Sequence, residues 1–280
     1  MVPRAEPIAD QPLGVIDLLD GAFAALRQRA RVIVAIVVGL VIPLSLFQAW
    51  VTRDDLGGAT FADLINDPTV AQEVSNSTSP YDAGFFLSQL LSMFVTAVAG
   101  VAISRVVGGW FEGRETGAAE ALRFTAGRGA AIIGSFIVIH VGELIGFVLV
   151  IPGLMVLALS SLTSPVLALE DAGPLAAIKR SWQLVRRRPA AVVGVIVLLA
   201  IVHYGVSQAV GTLPALVALL IGPDRAWPLV AVSNLLTSII LIPVTAAAMC
   251  LTYLDIRFRT EGLDLRRRIH EQFDVPIGPA

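Results

Sequence analysis

The sequence predicts an all-α, polytopic membrane helix bundle: six transmembrane helices, with amphipathic cytoplasmic helices preceding spans 1, 3 and 5. Three observations predict it: long apolar runs, a one-sided distribution of arginine, and a basic helix that recurs ahead of each pair of runs. Apolar residues make up 56% of the 280 residues, charged residues only 15%, and mean hydropathy is +0.79. A soluble domain keeps roughly a quarter of its residues charged, so the deficit points to spans.

About 20 apolar residues, each rising about 1.5 Å, cross the roughly 30 Å hydrocarbon core. Six runs are candidates: 32–51, 85–107, 130–151, 154–169, 190–213 and 227–251. The polar stretch ahead of the first is too long and too acidic for a secretory n-region, so that run is expected to be an uncleaved anchor. The fourth run is short and holds Ser160, Ser161, Thr163, Ser164 and Pro165.

Whether runs three and four form one helix kinked at Pro152-Gly153 is decided by the basic residues, which collect on the cytoplasmic side. Six crossings from an internal N-terminus leave only Arg53 and Arg225 outside, a split of 18 to 2 across the 20 basic residues; five crossings give 9 to 11. Pro152-Gly153 is then expected to be a tight turn at the outer surface. The outer loop, 52–83, carries Asp54, Asp55, Asp63, Asp67, Glu73 and Asp82 against Arg53 alone. Residues 252–280 form a cytoplasmic tail, and 1–280 is a single integral membrane domain. One lysine among the basic residues hints at a GC-rich bacterial genome, and the expected location is a bacterial inner membrane.

A basic helix followed by two spans recurs three times. Val15, Leu19, Ala22 and Leu26 share one face of the first copy, and Leu175, Ile178, Trp182 and Val185 one face of the third. The second runs through Ala121 and Leu122 to Arg128. Arg128-Gly129-Ala130-Ala131-Ile132-Ile133-Gly134 echoes Arg188-Pro189-Ala190-Ala191-Val192-Val193-Gly194. Pro174 suits a first helical turn behind the acidic Glu170 and Asp171. Such helices either lie in the interface, with their apolar faces in the acyl boundary and Lys179, Arg180, Arg186, Arg187 and Arg188 toward anionic headgroups, or cap the bundle from inside.

Three stretches carry a family likeness: Pro12 to Phe23, Ser164-Pro165 through Trp182, and Tyr253 through Leu265. The chain resembles the membrane-domain family of glycerophosphoryl diester phosphodiesterases, in a stand-alone form without the catalytic barrel. The resemblance implies a multi-span helical bundle. The barrel itself, with its acidic and histidine metal site, has no room in a chain occupied by spans.

Ionisable groups inside a membrane are costly and are functional suspects. His140 and Glu143 lie three apart in the third run, on adjoining helix faces. His203 in the fifth and Asn234 in the sixth are candidates to join them, either as a path for protons or a small solute, or as interhelical hydrogen bonds. No Walker loop, G-x-S-x-G, H-E-x-x-H or paired C-x-x-C occurs, and Cys250 is the one cysteine. No catalytic residue, metal or cofactor is therefore expected. The arginine clusters have no interleaved aromatics beyond Trp182 and Phe258 and adjoin spans, which points to a lipid surface and not to nucleic acid. Asp255, Arg257, Arg259, Glu261 and Asp264 read as internal ion pairs or as a docking face. The expected role is non-enzymatic, organising or supporting membrane or cytoplasmic envelope partners. A permease-like component using His140 and Glu143 is the alternative, and a phosphodiester-related lipid enzyme the weaker one.

Overall fold

The structure, a computed structural model, describes residues 14–52, 83–221 and 223–261. All but the ends of the expected outer loop, and the tail beyond 261, lie outside the described residues. Among them are nine helices and no strand: α1 (Val15–Thr52), α2 (Ala83–Phe111), α3 (Ala118–Gly127), α4 (Gly129–Phe147), α5 (Ile151–Ser160), α6 (Thr163–Leu169), α7 (Pro174–Arg187), α8 (Pro189–Ile221) and α9 (Pro223–Glu261). Six stretches are long and apolar enough to cross a bilayer: Ile16–Gln48, Phe86–Phe111, Gly129–Phe147, Ile151–Leu169, Pro189–Val217 and Ala231–Glu261. The chain is an all-helical, multi-pass membrane protein.

Helix ends follow local chemistry. At the start of α1 the Gly14 N–H donates to Asp17 Oδ2 at 2.7 Å, one half of a capping box. α2 ends on Gly113 with φ +76, where the Arg114 N–H reaches Gly109 O and the Gly113 N–H reaches Trp110 O. That pattern needs a left-handed residue, and glycine adopts it without a Cβ clash. α3 and α7 each begin directly after a glycine, Gly117 and Gly173, and Pro174 takes the first turn of α7.

The connection between spans three and four differs from the expected turn. The chain reverses over Val148–Val150, and Pro152-Gly153 lies inside the first turn of α5. Proline's fixed φ and missing N–H suit that first turn, so the bend falls before it. Val150 takes φ +58, unusual for a β-branched residue, to close the reversal. Gly146 and Gly153 let the two helices meet: a Cβ on Gly146 would lie 2.8 Å from Gly153 Cα. Span four is itself broken, at Ser161-Leu162, between α5 and α6. The Ser181 hydroxyl from α7 bridges the break, donating to Leu159 O at 2.6 Å and accepting from the Leu162 N–H at 3.2 Å.

The residues fall into two compact units. The first holds Gly100–Leu198 with the described parts of Met1–Arg29 and Val244–Ala280, so α3 to α7 lie wholly within it. In it α7 packs against α4, α5 and α6. Its core includes Leu18, Ala22, Ile103, Leu162, Leu184 and Tyr253. The second holds the described parts of Ala30–Ala99 and Leu199–Pro243, with Ile33, Ile36, Val37 and Val41 in its core. Of the basic residues with described side chains, Arg31 alone belongs to the second unit, and every acidic one belongs to the first.

The apolar stripes of the basic helices are covered by protein in part. Leu18, Leu19, Ala22 and Ala25 in α1 are buried, as are Ala177, Ile178, Leu184 and Val185 in α7. Protein covers these side chains, while Leu175 of the same α7 face stays 67% exposed. Apolar surface is exposed along α4, α5 and the reversal between them, at Leu144, Ile145, Val148, Leu149 and Ile151.

Replacing Gly146 by alanine forces backbone apart, since the new Cβ meets main-chain atoms and not a flexible tip. A cost of about 1–3 kcal/mol is expected, seen as a lower melting temperature in detergent. Gly205→Ala, whose Cβ meets nothing within 4 Å, should change stability by less than about 0.5 kcal/mol.

Candidate functional site

Each repeat is closed at its arginine-rich end by the same device. Where the basic helix gives way to its span the backbone leaves the helical well, and in all three copies the residue there is arginine: Arg29 (φ -114, ψ 20), Arg128 (φ -95, ψ 8) and Arg188 (φ -141, ψ 61). A cation suits a helix C-terminus, and the long stem can swing across to a neighbour. Arg29 Nη2 lies 3.3 Å from Glu115, Arg128 Nη1 2.7 Å from Asp171, and Arg188 Nη1 2.8 Å from Asp255. Those carboxylates follow the apolar parts of spans two, four and six. Each two-span repeat thus joins its entrance arginine to its exit carboxylate.

The three closures differ in strength. The Glu115 and Asp171 side chains are 67% and 100% exposed, so water screens their pairs. Asp255 is 4% exposed and takes two charged partners, Arg188 on Oδ2 and Arg259 Nε at 2.7 Å on Oδ1. A buried carboxylate needs such partners to remain ionised.

Beside it five side chains form a closed ring. Arg180 Nε donates to both Glu170 oxygens at 3.0 and 3.1 Å, and its Nη2 donates to Glu261 Oε2 at 2.8 Å. Arg257 donates to Glu261 at 2.9 Å and to the Tyr253 hydroxyl at 2.8 Å, and that hydroxyl donates to Glu170 Oε1 at 2.8 Å. Two carboxylates balance two guanidinium groups across α7, α9 and the start of the α6–α7 link. Burial disfavours the Arg180 charge, but hydrogen bonds to Glu170 and Glu261 outweigh it and hold that pKa above the ordinary arginine value.

The expected basic surface of α7 therefore divides. Arg180 and Arg188 turn inward to these pairs. Lys179 and Arg186 are exposed, and Arg187 is half-exposed 3.7 Å from Glu261. Asp255, Arg257, Arg259 and Glu261 of the tail are joined by ion pairs one turn apart, and Asp264 lies outside the described residues. The inward roles of Glu170 and Tyr253 escaped the sequence reading, which placed Glu261 among internal ion pairs but did not join it to Arg180. One signal was available for two of the exit carboxylates, since Glu115 and Asp171 each stand two residues before a helix-starting glycine.

The intramembrane candidates divide between the two units. His140 and Glu143 come together in the first unit: Nε2 lies 3.9 Å from Oε2, and both side chains are mostly buried. The His140 Nδ1 bonds Phe136 O at 2.8 Å and the two rings stack at 4.0 Å, fixing the imidazole so that Nε2 faces the carboxylate. That gap exceeds a hydrogen bond and suits a bridging water. His203 and Asn234 are exposed residues of the second unit. Among the described residues no group of three His, Cys, Asp or Glu side chains converges to hold a metal.

A family model described as a domain of unknown function (DUF7847) matches residues 84–256, more than half of the chain. The chain belongs to that family. The DUF7847 segment contains the second and third closures whole, with Glu170, Arg180 and Tyr253, and excludes Arg29, Arg257 and Glu261. No curated protein and no solved structure matches the chain.

The closures predict unequal sensitivities. Asp255→Asn should cost about 3 kcal/mol, the low end for a broken buried pair because Arg188 and Arg259 keep some contact with water. Glu115→Gln should cost less than about 1 kcal/mol. Thermal melts of the two purified variants in one detergent would check the ranking.

Proposed function

We propose that this chain is a non-enzymatic, multi-pass protein of a bacterial inner membrane, with both ends cytoplasmic, which organises or supports envelope partners through its arginine-rich face. The observation that carries the reading is the division of charge within the first unit. An ion-paired ring and three closures stiffen that face, while Lys179, Arg186 and Arg123 stay exposed on its outside. A stiff frame with outward cations is what a docking platform requires, since little ordering entropy is then lost on binding. The excess of cytoplasmic arginine supports the orientation.

Two measurements test this reading. A cysteine at Lys179 should react with a membrane-impermeant maleimide in inverted vesicles and stay protected in intact spheroplasts; the reverse pattern overturns the orientation. Mild detergent extraction with crosslinking should recover defined envelope partners, and joint charge reversal of Lys179 and Arg186 should reduce that recovery several-fold. A strictly solitary protein would end the proposal.

A second reading, a permease-like component, is favoured by one observation: the oriented His140–Glu143 pair inside span three. Here the pair passes a proton between Nε2 and the carboxylate. Glu143→Gln should then abolish flux in proteoliposomes while leaving the melting temperature within a few degrees of wild type, and unaltered flux would remove this reading.

A further inference from the structure

Among the half-buried arginines of the described residues, one stands outside the pairing scheme. Arg105 sits near the end of the apolar run of α2, half-buried, and among the described residues no carboxylate pairs with it. Its Nη1 only grazes Ala168 O at 3.5 Å, and its guanidinium lies 4.4 Å over the Phe124 ring of α3. Arg128 lies over the same ring at 5.8 Å. The Arg128 Nη2 donates to Glu170 O, its Nε is buried without a hydrogen-bond acceptor, and the one carboxylate that Arg128 holds, Asp171, is fully exposed.

Two guanidinium groups therefore converge on one phenyl ring, and their single carboxylate is spent in water. A part-buried guanidinium with idle donors is unfavourable until an anion takes them. Arginine forks match the oxygens of a phosphate in bidentate fashion, and contact with an aromatic ring holds a guanidinium in place. Depth selects the ligand: Arg105 precedes by only two residues the end of its apolar run at Val107, the level at which headgroup phosphates meet a crossing helix.

We propose that Arg105 and Arg128, sharing the Phe124 ring, bind the phosphate of an anionic phospholipid. This site is separate from the exposed cations of α7 and does not depend on the organising role. A positive charge on the lipid headgroup would be repelled by the two guanidinium groups, so an anionic lipid is preferred over a zwitterionic one.

The test uses the full chain in neutral detergent. Phosphatidylglycerol should raise the melting temperature saturably and survive as one bound lipid in native mass spectrometry. Phosphatidylcholine should do neither, and millimolar inorganic phosphate should reproduce only a small part of the rise. Arg105→Gln should lose the response at least ten-fold in lipid concentration, whereas Arg186→Gln should keep it. Arg105→Gln removes an unpaired charge and is expected to fold. Should it fail to, retention of phosphatidylglycerol over phosphatidylcholine by the wild type decides alone. Equal response to both lipids, a full response in Arg105→Gln, or complete replacement by inorganic phosphate would each overturn the assignment.

Discussion

A guanidinium group taken partly out of water must find an anion or a dense set of acceptors, and the first unit is organised around that requirement. Arginine carries almost all of the positive charge here and does not shed its proton, so each buried copy demands a partner. Carboxylates at the exits of spans two, four and six supply three of them, and Glu170 with Glu261 supplies two more. The apolar packing of α7 follows from this arrangement. With Arg180 and Arg188 held inward, Ala177, Ile178, Leu184 and Val185 face neighbouring helices and not lipid.

The span pattern was legible in the sequence because hydropathy and arginine asymmetry are local and cumulative. Each of the six expected runs overlaps a helix long and apolar enough to cross a bilayer. The threefold recurrence was legible for the same reason, since helical spacing in α1 and α7 is a short-range signal. The register of the third-to-fourth connection was less so. Pro152-Gly153 reads equally well as a turn or as a helix start, and the tight meeting of Gly146 with Gly153 is a tertiary fact.

Pairing was the least legible layer. A charged residue in a list of mixed signs does not announce its partner, and Glu170 and Glu261 meet Arg180 from positions 10 and 81 residues away. The polar groups inside the spans illustrate the converse. His140 and Glu143 are close because they share one helix, a relation that spacing alone reveals, whereas their association with His203 and Asn234 was a guess about different helices. Those two belong to the other unit.

The unequal lengths of the basic helices carry a lesson about tolerated change. From the glycine before each helix to the arginine at its junction the chain counts 15 residues in the first copy, 11 in the second and 15 in the third. A difference of four residues is close to one helical turn and rotates the junction by only about 40°. Arg128 can therefore still aim toward its exit carboxylate even though α3 is a turn shorter. Losing two residues would swing the same side chain roughly halfway around the axis. The three copies of this chain differ by a whole turn and not by a part of one.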